Sequence, residues 1–84
     1  MTTRSEISDW FDQGVQKGAS HMIVVCDTYD WEDYPVYVSG GSTEAKRKYN
    51  EYSNGAHSMQ KVMEVYDLSA DKSEQMGSHR CFRF

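Results

Sequence analysis

The densest chemistry in the chain lies between positions 27 and 34. Four carboxylates, Asp27, Asp30, Glu32 and Asp33, alternate there with three aromatics, Tyr29, Trp31 and Tyr34. An aspartate at the end of an apolar strand, as Asp27 follows Met22–Cys26, is the placement that phosphoryl-transfer folds use. Asp27 and Asp30 lack the spacing of the paired aspartates in haloacid-dehalogenase-like enzymes, the chain is too short for that core, and the downstream lysine and acidic motifs are missing. Carboxylates so close together could also gather a hard cation. Calcium loops, however, place a glycine at their sharp turn, and none interrupts this segment. Two readings remain: a solvated hairpin loop whose aromatics fold back over a sheet, and a protein contact surface. Trp and Tyr are enriched at interface hot spots, and clustered carboxylates steer a loop towards a basic partner. Four of the 13 acidic residues fall within seven positions, which favours the contact surface over average composition.

A second candidate follows at Gly40-Gly41-Ser42-Thr43. A glycine turn running into a helix presents free amides and the positive end of the helix dipole to an anion. Lys46 or Arg47, one turn on, could add charge, and Tyr49 or Trp31 could stack on a base. The stretch lacks the G-x-x-x-x-G-K-S/T pattern of a phosphate-binding loop, and ordinary strand-to-helix turns share its composition. Lys46-Arg47-Lys48 is the only basic cluster and reads as a solvated helix face.

Other reactive residues form no set. Cys26 and Cys81 are too few for a disulfide scaffold, and Cys26 reads as a buried reduced thiol. The cysteines and His21, His57 and His79 lack metal-ligand spacing, so neither a metal nor a cofactor is expected. No nucleophile turn of the G-x-S-x-G type occurs, which disfavours an enzyme.

The elements that must position these residues are legible from periodicity. Thr3-Arg4-Ser5-Glu6 is a capping box, and Ile7, Trp10, Phe11, Gly14 and Val15 form the apolar stripe of a helix from about Arg4 to Lys17, ended by Gly18. Met22–Cys26 is a strand buried on both faces. Pro35 opens a second strand, Val36–Val38, and the short connection makes the two an antiparallel hairpin. Ser42 or Thr43 caps a second helix with Ala45, Tyr49 and Tyr52 on its apolar side, ended by Asn54-Gly55. Met59–Leu68 fits either period. It is read as a strand because a lone hairpin is marginal, and the crossover from Val38 is long enough for a βαβ unit. Ser69 caps a short helix ending at Gly77, and Arg80–Phe84 alternates as an edge strand, with Cys81 on one face and Phe82 and Phe84 on the other. The expectation is one α+β domain over residues 1–84, ordered α-β-β-α-β-(α)-β, with a mixed sheet of about four strands packed against two main helices.

The totals narrow the function. Chains of 84 residues carry one core and bury roughly 60–65% of their unfolded surface. A net charge of −4 disfavours duplex nucleic acid, which demands a dense basic surface, and anionic membranes. No apolar run reaches the ~18–20 residues of a membrane span, and no leader is read after Met1, so the expected address is the cytosol.

Three segments, Gly18–Thr28, Trp31–Val38 and Met59–Leu68, together about half the chain, resemble those of a family of small proteins found in bacteriophages and some bacterial genomes. The resemblance carries over no catalytic residue or cofactor. It implies a context, the bacterial cytosol, and a role, since small phage accessory proteins often inhibit host machinery or antagonise host immunity. The leading expectation is therefore a non-enzymatic inhibitor that binds a host bacterial protein through Asp27, Tyr29, Asp30, Trp31, Glu32, Asp33 and Tyr34. The alternative is a sponge for a cyclic nucleotide immune signal at Gly40, Gly41, Ser42, Thr43, Lys46 and Arg47. A homo-oligomer would serve that role, because one small subunit offers little concave volume. A third possibility is an accessory phage domain with no tight ligand.

Overall fold

The structure, a computed structural model, describes residues 3–53, 60–77 and 81–84. It is a small α+β fold with a three-stranded antiparallel sheet and three helices, in the order α1 (Arg4–Gln16), β1 (His21–Asp27), β2 (Glu32–Val38), α2 (Gly41–Ser53), β3 (Gln60–Asp67) and α3 (Lys72–Met76). None of the described helices is long and apolar enough to cross a membrane.

The run Met22-Ile23-Val24-Val25 explains the sheet order. All four side chains are fully buried, and burial of each contributes about 1.5–3 kcal/mol. A strand apolar on both faces belongs in the middle, and the order is β2-β1-β3. Met22 and Val24 face Ile7 and Phe11 of α1, with Tyr66, Leu68 and Cys81 completing that core. Ile23 and Val25 face Ala45 of α2, with Val38 and Val65. The sheet thus lies between α2 on one side and α1 with α3 on the other.

This arrangement corrects the expected mixed four-stranded sheet. β3 runs parallel to β2, as a crossover connection requires, but it pairs antiparallel with β1. Among the described residues, the expected fourth strand is represented by one parallel bridge between Val65 and Phe82, held by Val65 N–H to Cys81 O (2.8 Å) and Arg83 N–H to Val65 O (3.0 Å). The side-chain alternation persists without the strand: Cys81 joins the α1-side core, while Phe82 and Phe84 pack edge-on against Tyr49 on the α2 side.

Helix ends follow local chemistry. Thr3 caps α1, its hydroxyl accepting from Glu6 N–H at 3.2 Å, and Gly18 takes the left-handed φ of +75° just beyond the end. Of the predicted stripe, Ile7, Phe11 and Gly14 are buried and Trp10 is partly buried, but Val15 is half exposed. α3 is capped by Asp71 rather than Ser69. Ser69 instead bonds the carboxylate of Asp67 through both its amide and its hydroxyl. Gln75, fully buried, joins α3 to the end of β3: its Oε1 accepts from Asp67 N–H at 2.7 Å and its Nε2 donates to Asp67 O at 2.8 Å. The predicted stop of α2 at Asn54-Gly55 lies outside the described residues, as do His57, His79 and Arg80.

Candidate functional site

The acidic-aromatic segment is the connection between β1 and β2. Asp27 and Glu32 are the last cross-strand pair, leaving the four residues 28–31 to make the turn. Two aspartates build it. Asp27 Oδ1 accepts from Tyr29 N–H at 2.9 Å and Asp30 Oδ1 accepts from Glu32 N–H at 3.0 Å, each an Asx turn that substitutes a side chain for a backbone partner. These bonds hold Trp31 at φ +59°, the left-handed region that glycine or asparagine ordinarily fills. Its ring is not withdrawn from water: Trp31 is 64% and Tyr29 78% exposed.

The seven predicted residues therefore divide. Tyr29, Asp30, Trp31 and Glu32 form the exposed tip, and Asp27 and Asp33 are half-buried at its base. Tyr34 turns away to the α2 side, where it packs against the second core and its hydroxyl accepts from Gln60 Nε2. Burial, and after it the neighbouring Tyr52, raises the Tyr34 phenol above its ordinary value. Among the described residues, no ion pair neutralises Asp27, Asp30, Glu32 or Asp33. No group of three or more His, Cys, Asp or Glu in those residues is arranged to hold a metal ion.

Below Trp31, on the α1 side of the sheet, lies a depression of about 330 Å³ lined by Cys26, Trp31, Asp33, Lys61 and Met63. Register places it there. Cys26 pairs with Asp33 on β2 and with Lys61 on β3, so all three occupy one row across the sheet. A register shift between Val24 and Val25 leaves Met63 as the extra residue of a bulge. Cys26 is buried, and its thiol is pushed above the ordinary value first by that burial and then by its hydrogen bond to Asp33. It is a neutral apolar floor rather than a thiolate nucleophile. Sequence reasoning had named Asp33 and Trp31 but missed Lys61 and Met63, because nothing local to β3 discloses which residues oppose Cys26.

The glycine turn sits at the opposite end of β1, about 20 Å away by strand length, so Trp31 is out of reach of it. Gly41 has φ +78°, and its N–H donates to Ser20 Oγ at 3.0 Å. Ser20 Oγ in turn donates to Val38 O at 3.0 Å and lies 2.9 Å from His21 Nδ1. Ser42 does not cap α2: its hydroxyl donates to Phe84 O at 2.9 Å, while Thr43 is exposed. A Cβ on Gly40 would collide with the Glu44 side chain, so the glycine makes room for an acidic side chain beside the turn. Arg47 bonds both oxygens of Glu44, the shortest at 2.6 Å, and approaches Glu51 at 4.0 Å. Lys46 is exposed and Tyr49 is engaged with Phe82 and Phe84. The bonded Arg47 guanidinium holds the Glu44 carboxyl below its ordinary value. Of the residues expected to hold an anion, the Gly41 amide, the Ser42 hydroxyl and the Arg47 guanidinium thus bond to groups of the chain itself, while Thr43 and Lys46 are exposed.

No protein-family model, curated protein or solved structure matches this chain.

Proposed function

We propose that the chain is a non-enzymatic binding protein of phage type that inhibits a host bacterial protein in the bacterial cytosol, making contact through its 27–34 hairpin loop. One observation carries this reading. Trp31 keeps a left-handed backbone while 64% exposed, a conformation costing about 1–2 kcal/mol that burial of the ring does not offset. Strain of this kind clusters at binding and switch sites. The carboxylates around it, joined in no ion pair among the described residues, supply steering towards a basic surface, and Tyr29 and Trp31 supply the anchors. Tyr34 supports the loop from the core side.

The nucleotide sponge has less support. The amide of Gly41, the hydroxyl of Ser42 and the guanidinium of Arg47 already have partners within the chain.

Affinity capture from bacterial lysate, with mass spectrometry of the bound protein and small-molecule fractions, tests the proposal. The wild-type chain should retain a specific protein, and a Tyr29→Ala/Trp31→Ala variant of unchanged stability should lose it. Equal retention by both would remove the loop from the function. A bound nucleotide in place of a protein would favour the sponge.

A further inference from the structure

Resting on the loop-contact reading, we infer that the depression beneath Trp31 is a socket for one cationic side chain of the partner, an arginine above all. The α1-side core ends at Val24: Cys26, the next residue of β1 on that face, lies outside the cluster that α1 makes. What remains open is floored by Cys26 and Met63, walled by Trp31 and edged by Asp33 and Lys61. A volume of about 330 Å³ is at the small end of ligand pockets and suits a single side chain with its stem.

Charge selects the occupant. Asp33 edges the depression on this face and Asp30 stands in the turn, whereas Asp27 and Glu32, the next cross-strand pair, alternate to the α2 side; among the described residues Lys61 is the cation lining the depression. Asp33 and Lys61 stand on either side of Cys26, two strand spacings or about 10 Å apart at the backbone. No ion pair joins them. A guanidinium at the Asp33 end can donate to both carboxylate oxygens in a forked pair, lie against the Trp31 indole and rest its methylenes on Met63. Lys61 then guards the far end, repelling a second cation and fixing which way the side chain enters. An anion would meet the net negative loop, and a neutral chain would leave Asp33 with only the weak thiol donor of Cys26.

The test is titration of the ¹⁵N-labelled full chain with N-acetyl-arginine amide, N-acetyl-glutamate amide and a tetra-arginine peptide, followed by NMR and by Trp31 fluorescence. A single side-chain probe of this size binds at about millimolar Kd. The arginine probe should give saturable shifts at Cys26, Asp33, Met63 and the Trp31 indole, and the glutamate probe none. Asp33→Asn, which keeps the shape of the depression, should weaken the arginine probe about tenfold, and Lys61→Ala should tighten it. Absence of saturable shifts at Cys26 and Met63, or equal shifts with both amino-acid probes, overturns the socket. Shifts by tetra-arginine confined to Tyr29, Asp30 and Glu32 overturn the socket and leave the loop contact standing. If neither arginine probe perturbs the loop or the depression, the loop reading loses its electrostatic support as well.

Discussion

Tyr66 donates its hydroxyl to Glu64 Oε2 at 2.8 Å along the same face of β3. The same carboxylate oxygen accepts from Cys81 N–H at 3.3 Å and lies 3.7 Å from Arg4 Nη1. One half-buried acid therefore connects β3, the start of α1 and the segment around Cys81. Tyr66 itself is fully buried and stands edge-on to Phe11.

Removing that hydroxyl tests the connection. Tyr66→Phe keeps the ring in place and takes a donor from Glu64, at an expected cost of about 1–2 kcal/mol. The effect has a pH signature. Burial first, and Glu64 second, raise the Tyr66 phenol above its ordinary value of 10.0. Because the folded state favours the neutral phenol, its contribution is complete below that ordinary value and is lost as pH rises towards the raised one. Urea unfolding should show wild type more stable than Tyr66→Phe at neutral pH, with the difference shrinking under strongly alkaline conditions. A difference that grows with alkalinity would contradict the assignment.

Gly14 should resist the substitution that normally strengthens a helix. Alanine in a helix interior is better than glycine by about 0.8–1.0 kcal/mol. Here its Cβ would fall 2.7 Å from Leu68 Cδ1 and 2.8 Å from Tyr37 Cε1. The Tyr37 ring is held by its hydroxyl, which donates to Trp10 O at 2.8 Å, so it cannot move aside freely. Overpacking costs typically 1–3 kcal/mol, and Gly14→Ala should come out destabilised by about 1 kcal/mol. A higher thermal midpoint for the variant would show that α1 has room to shift.

These contacts mark how far the sequence could be read. The apolar run Met22–Cys26 announced a strand buried on both faces, and Thr3 with Gly18 bracketed α1, because caps and periodicity are local physics. The strand reading of Met59–Leu68 matches β3 where the two overlap, its β-branched residues outweighing a helical stripe. Pairing was not local. Nothing within 60–67 states that this strand takes the far edge of β1, and nothing in Arg80–Phe84 states that, among the described residues, it meets β3 at the Val65–Phe82 bridge. The same gap hid the depression, since Lys61 and Met63 enter it through register. Ser42 and Ser69 misled for a related reason: each is a good cap, yet Phe84 O and the Asp67 carboxylate claim their hydroxyls.

Trp31 offers the most direct measurement of the central claim, that this residue is kept for contact rather than for folding. Equilibrium urea unfolding of Trp31→Gly beside wild type, with lysate capture run on the same two samples, separates the roles. Glycine removes the left-handed penalty of about 1–2 kcal/mol and gives back part of it through a more flexible unfolded chain. The expected result is a variant as stable as wild type or up to about 1 kcal/mol more stable, with partner retention lost. A variant destabilised by more than about 1 kcal/mol, or one that retains the partner undiminished, would contradict the account.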